Sequence, residues 1–160
     1  VFESIEMIAK ALKASGKSTP RLAVCGLNPH NGDNGNYGDE EIKIIAPGVE
    51  MAHQAGIPAD GPFPADTAFV RATRKEGGYD GVVTMYHDQG QIAMKLMGFE
   101  KGVTVHGGLP IPICTPAHGT AYDIARRNLA NPQAMCNAFE LACRMGLHHK
   151  QSRASASLAA

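Results

Sequence analysis

The chain has 160 residues, with 15 Lys+Arg balanced by 15 Asp+Glu and a formal net charge of zero. With no basic excess to offset phosphate charge, this balance argues against a nucleic-acid binder led by electrostatics and against a polybasic membrane-surface protein. Hydrophobic residues at 44% and charged residues at 19% suit a packed domain, and no apolar run approaches the roughly 18–20 residues that span a bilayer. Length predicts about one domain. No charged-then-apolar leader opens the chain, so a cytoplasmic location is expected.

The opening segment predicts a helix, because Ile5, Ile8, Ala9 and Leu12 recur at helical spacing and Gly16 ends the pattern. No start signal precedes it, so the chain is expected to be a piece of something longer. Residues 21–25 (RLAVC) read as a short buried strand running into a Gly/Asn-rich loop through Gly38. Asp39 is placed to cap a helix with Glu40 and Glu41 in its first turn, and Pro47-Gly48 is expected to interrupt that helix before Gly56. Residues 59–63 form a strand candidate, followed by a turn at 64–67 and a short helix over 68–73. The clearest strand is Gly81 to Tyr86, which ends at His87-Asp88. Asp88 can cap the next helix, which carries Ile92, Ala93, Leu96 and Met97 and stops at Gly98. Weaker strands are expected over 103–106 and 111–114. Asn131-Pro132 is a helix start, with Ala134, Ala138, Leu141 and Met145 as an apolar stripe and Gly146 as its close. Residues 1–147 are thus expected to be ordered, and 148–160 to be a disordered tail. Helices alternating with short apolar strands give an α/β class with a mostly parallel sheet flanked by helices.

His30 and His87 each follow a buried strand directly, each in a Gly-containing loop. Loops after parallel strands gather at one sheet edge. Two imidazoles can begin a divalent-metal site, although catalytic sites usually have three protein ligands. Asp33, Asp66 and Asp88 are nearby acids that can ligate or orient a ring. The alternative is that both His are loop residues bonded to backbone. Lys95, eight residues after His87, can neutralise a carboxylate or phosphate, or be an exposed helix lysine. Asp66 is most simply a helix cap, with catalysis as the second reading. The string from His118 through Gly119, Ala121 and Asp123 to Ile124 reads as a loop entering a helix that can approach a flat ligand. It lacks G-x-G-x-x-G, so an ordinary Rossmann site is not indicated. Cys25, Cys114, Cys136 and Cys143 contain no C-x-x-C and are expected to be reduced and mostly buried.

Four strings together carry a resemblance: GLNPHNGDNG at 26–35, GPFPADT at 61–67, MYHDQG at 85–90, and GLP with HGTAYDIA over 108–125. In order and spacing they resemble the carboxy-terminal half of the 4-hydroxythreonine-4-phosphate dehydrogenase family and its paralogues, over roughly residues 20 to 145. The last string also looks like the adenosine-binding loop of isocitrate and isopropylmalate dehydrogenases. The resemblance implies that related fold, here as a partial subunit. It implies NAD as cofactor, with a divalent metal (Zn, Mg or Co) held by three His at a homodimer interface. His30 and His87 match two of these ligands, and the third belongs to an amino-terminal half absent here. Lys95 matches a substrate-binding lysine. His118, Gly119, Ala121 and Asp123 match positions facing the adenosine end of NAD. Asp66, Asp88 and Lys95 are the implied catalytic group, acting by orienting ligands or relaying protons.

The implied chemistry is oxidation of a small hydroxy acid with loss of CO2 from the resulting β-keto acid, as in pyridoxal-phosphate synthesis. Two positions depart from the family. Thr104 replaces an Asn, and Ile113 stands where an Arg is usual, which removes a bidentate phosphate donor. Arg126-Arg127-Asn128 also replaces the Gly-rich end of the usual loop. A paralogue acting on phosphorylated threonate or erythronate, or on a non-phosphorylated dihydrodiol carboxylate, is therefore a competing reading. A non-catalytic fragment lacking its other half is a third.

Overall fold

The computed structural model describes residues 1–158. It divides into two compact units, Val1–Ala93 and a second from Met94 on, where length alone suggested one.

In the first unit, α1 (Phe2–Ala14) leads to β1 (Leu22–Cys25), then α2 (Ala46–Gln54), β2 (Ala59–Phe63), α3 (Ala65–Ala72) and β3 (Gly81–Val83). The three strands form a parallel sheet in the order β2-β1-β3. The central strand is a continuous apolar run, and all four of its residues are buried, as expected for a parallel strand covered on both faces. Leu22 and Val24 join Ile5 and Ala9 of α1, Val49 and Ala52 of α2, and Ile45, Ile57, Ala59 and Val83 in one core cluster. Alternation turns Ala23 and Cys25 to the other face, where α3 packs on β1 and β3 with Ala68 fully buried. Only three residues of the expected 81–86 strand pair with β1; the chain leaves the sheet at Thr84 and enters α4 (His87–Gly98) at His87.

The helix expected from Asp39 starts differently. Residues Glu41–Ile45 form a wide π turn that runs into α2, with Pro47 in the first turn of α2 instead of breaking the helix. Pro47 has no N–H, so the carbonyl four residues before it lacks its usual donor, which favours a wider turn there. Asp39 does not cap with its side chain: its carboxylate pairs with Lys43, and its carbonyl accepts the Ile42 and Lys43 N–H groups.

In the second unit, β4 (Val103–His106) and β5 (Ile113–Pro116) form an antiparallel pair, and α5 (Gln133–Leu158) packs on both strands. Asn131 caps α5 through Oδ1, which accepts the Gln133 N–H at 3.0 Å. Of the predicted stripe, Ala134, Ala138 and Met145 are buried and Leu141 is half-buried. The expected stop at Gly146 is corrected: α5 continues through Leu158, into the stretch expected to be a tail. One isolated Gly costs a helix only about 1 kcal/mol, and the following Leu, His, Lys, Gln, Arg and Ala include no second breaker. Residues 159–160 of that expected tail lie outside the described residues. Of the four free cysteines, only Cys25 is buried, and its thiol is pushed up to about 11 by that burial. Cys114 is partly buried, and Cys136 and Cys143 are exposed on α5, which corrects the expectation of mostly buried thiols. No helix among the described residues is long and apolar enough to cross a membrane.

Candidate active site

The loops that follow β1 and β3 leave the same edge of the sheet, because the two strands are adjacent, parallel and in register from Leu22↔Gly81 to Val24↔Val83. His30 lies in the first loop and His87 opens α4 after the second. Gln89 ties them together. Its Oε1 accepts the Met85 N–H at 2.8 Å, and its Nε2 donates to the Gly26 carbonyl at 3.0 Å. Gln89 therefore links the two histidine-bearing segments, a contact that no motif in the sequence marked.

The His30 segment is unusual in conformation. His30, Asn31, Gly32, Asp33 and Asn34 all have positive φ, from 43° to 78°. This is a left-handed turn, in which each L residue costs about 1–2 kcal/mol. Gly, Asn and Asp tolerate the region through missing Cβ contacts or local hydrogen bonds, but His30 has neither advantage. The turn therefore needs support from elsewhere in the unit.

Just before this turn the loop closes around Glu41, which is 3% exposed. Its Oε1 accepts the N–H groups of Leu27 and Asn28, both at 2.7 Å, and its Oε2 accepts Asn28 Nδ2 at 3.0 Å. Burial alone pushes this carboxyl up, but the hydrogen bonds from Asn28 and Leu27 outweigh it and hold the group below its ordinary value. In sequence, Glu41 is the third acid of a helix start. Its contacts lie 13 and 14 residues back in the chain and have no local signature.

The remaining predicted residues of this unit are exposed. The His30 ring lies 6.0 Å from that of Tyr37. His87 Nδ1 is 2.8 Å from Asp88 Oδ1, which leaves Nε2 as the ring's outward nitrogen. Asp88 sits in the first turn of α4 with its carboxylate on His87. Asp66 lies in the first turn of α3 but does not cap it: the Pro64 carbonyl accepts the Thr67 and Ala68 N–H groups instead. Among the described residues no group of three His, Cys, Asp or Glu side chains comes together as a metal cage. The donor set does fit part of one, with two imidazoles at one sheet edge and one of them braced by a carboxylate.

The second unit carries Lys95, exposed on α4, and Thr104, exposed on β4 opposite Thr115. Ile113 is exposed on β5 opposite His106. The loop after β5 encloses an open pocket of about 320 Å³ lined by His118, Gly119, Ala121 and Ile124 together with Phe99 and Asn131. A neighbouring pocket of about 580 Å³ shares His118, Gly119 and Ala121 and adds Arg126 and Asn128. Three of the four expected cofactor positions thus line a cavity, and Asp123 lines neither. The expected helix after His118 is only a short 3-10 turn, Tyr122–Ile124, entered through Ala121 in a left-handed conformation. Phe99 carried no motif and comes to this pocket through the fold alone, while Asn131, read as a helix start, also lines it.

A family model described as pyridoxal phosphate biosynthetic protein PdxA matches residues 1–142. The chain is 49% identical over 141 residues to the D-threonate 4-phosphate dehydrogenase of Pectobacterium atrosepticum, covering 88% of this chain and 43% of that protein. It is 47% identical over 144 residues to the 4-hydroxythreonine-4-phosphate dehydrogenase of Beijerinckia indica subsp. indica, covering 90% of this chain and 42% of that protein. Among solved structures it is similar to the 4-hydroxythreonine-4-phosphate dehydrogenase of Klebsiella pneumoniae, with a TM-score of 0.73 and 45% identity over 89% of this chain and 42% of that one. These likenesses bear out the isocitrate dehydrogenase-like α/β class. The chain spans less than half the length of the curated relatives it matches.

Proposed function

The chain belongs to the family of the pyridoxal phosphate biosynthetic protein PdxA, and from that premise we propose that the full protein carrying it is an NAD- and divalent-metal-dependent dehydrogenase. It oxidises 4-phosphooxy-L-threonine or a similar small hydroxy acid, with loss of CO2, in the cytoplasm. The observation that supports this most directly is the delivery of His30 and His87 by adjacent parallel strands to one sheet edge, cross-linked by Gln89.

His30 and His87 would hold the divalent ion, with a third ligand from outside this chain. A bound ion supplies Lewis acidity that lowers the pKa of a substrate hydroxyl, and a bound nicotinamide accepts the hydride. The chain's own part is positional. Asp88 accepts from His87 Nδ1 and fixes the ring so that Nε2 faces outward. Asp66 and Asp88 orient ligands or relay protons, Lys95 neutralises the anionic end of the substrate, and Thr104 donates a hydroxyl to it. His118, Gly119 and Ala121 receive the adenosine end of the cofactor, with Asp123 accepting from a sugar hydroxyl. The reading includes a homodimer with the active site at its interface. Apolar side chains left exposed on the second unit, among them Leu96, Met97, Phe139 and Leu147, are consistent with such a surface.

A phosphorylated threonate as substrate is the second reading. It is supported by the 49% identity to a D-threonate 4-phosphate dehydrogenase. The test is NADH formation by the full protein that carries this chain, with Mg2+, Zn2+ or Co2+. The substrates compared are 4-phosphooxy-L-threonine, D-threonate 4-phosphate and their dephosphorylated forms. Turnover of one phosphorylated acid, lost in His87→Ala with a metal affinity reduced by more than about 100-fold, is the expected result. Equal turnover without the phosphate counts against a phosphate site. No NADH from any of the four, or a His87→Ala protein that keeps its metal affinity, sinks the reading.

A further inference from the structure

We propose that Glu41 is the positioning residue that holds His30 in its metal-ligating conformation, by clamping the loop on both sides of it. The proposal rests on the reading of His30 as a ligand and adds a residue to it. Its basis is geometric. Before His30, the Glu41 carboxylate takes the N–H groups of Leu27 and Asn28 and the Asn28 side-chain amide. After His30, it lies against Gly32: a Cβ added there would stand 2.7 Å from Oε2, and one added at Gly26 would stand 3.0 Å from Oε1. The carboxylate thus fills the inside of the loop, in van der Waals contact with backbone at both ends of the segment that carries His30. Gly26 and Gly32 are the two positions whose missing side chains let it in.

A buried carboxylate normally has a cationic partner. Glu41 has none among the described residues, and its charge is met by backbone and amide donors of this one loop. Four of the five left-handed residues of the turn carry side chains that disfavour this conformation, so their geometry depends on the contacts around them, the clamp among them. Glu41 does not reach solvent and is neither ligand nor base. Its role is to keep the His30 imidazole where an ion would meet it, as residues behind a metal ligand generally do.

The decisive variant is Glu41→Gln. It keeps size and shape but sets an amide NH2 against donors on one side of the clamp, either the Leu27 and Asn28 N–H groups or Asn28 Nδ2. In the full protein carrying this chain, titrated with Co2+ and followed by visible absorption, Glu41→Gln is expected to weaken Co2+ affinity about 10–100-fold. Turnover at saturating Co2+ is expected to recover, so that the change falls on the metal requirement and not on kcat. Co2+ affinity within twofold of the parent overturns the proposal. His30→Ala, measured in parallel, separates the two claims. If His30→Ala leaves Co2+ binding intact, the metal reading itself fails. If His30→Ala abolishes binding while Glu41→Gln does not, only the Glu41 clamp fails. Should Glu41→Gln not fold, Asn28→Ala removes the single donor to Oε2. It is expected to weaken Co2+ binding severalfold, and unchanged binding by that variant overturns the clamp equally.

Discussion

At the scale of single residues, the electrostatics of the first unit are set by carboxylates that accept backbone hydrogen bonds. Glu41 does so inside the loop that carries His30, and Asp80 does so at the other end of the sheet. Asp80 sits before β3 with Lys17 Nζ at 2.7 Å and the Arg21 N–H at 3.0 Å. The Lys17 contact, then the Arg21 N–H, hold its carboxyl below the ordinary 3.8. A group whose pKa is depressed by folding adds stability that is full above its unfolded value and fades as pH falls through its folded value. Asp80→Asn is therefore expected to lower the melting temperature at neutral pH, by the equivalent of about 1 kcal/mol or less for so exposed a pair. The difference from the parent should disappear as the pH drops well below 3.8. A difference that persists in acid would show that Asp80 acts through shape and not charge.

At the scale of elements, the helices show which local signals decide and which are overruled. Asn131 caps α5 as its sequence position suggested, and the apolar stripe at Ala134, Ala138 and Met145 is the buried one. Gly146 was an equally plain signal for a stop, yet α5 runs twelve residues past it to Leu158. Nothing lies within 4 Å of a Cβ added there, so the position has no steric need for glycine. Gly146→Ala is expected to stabilise the protein by about 0.5–1 kcal/mol, through helix propensity and a less mobile unfolded chain. Urea denaturation reads this directly, and destabilisation would show that the helix bends at this point. The π turn at Glu41–Ile45 is the opposite case, since Pro47 did mark an irregularity, but as a wider turn instead of a break. That turn is also the stretch that carries Glu41.

At the scale of the whole molecule, the sheet of the first unit is the frame on which both histidine loops depend. Leu22 is fully buried at its centre, on the face shared with α1 and α2. Leu22→Ala is expected to cost about 3–5 kcal/mol of stability. The measurement is urea unfolding followed by circular dichroism, and a loss under 1 kcal/mol would mean that this core repacks freely. The strand-helix alternation, the parallel central sheet and the positions of His30, His87 and Lys95 on loop and helix were legible in the chain because they follow local periods, caps and strings of adjacent residues. The loop from His118 was legible as a string, but the place of Phe99 and of the helix-starting Asn131 beside it was not, and neither was the division into two units. The Glu41 clamp, the Gln89 cross-link and the left-handed turn at His30 were invisible in the sequence. A buried carboxylate is distinguished from an ordinary first-turn acid only by which distant N–H groups surround it. A run such as HNGDN adopts its left-handed turn against the preference of most of its own residues, so the conformation depends on contacts that lie elsewhere in the chain.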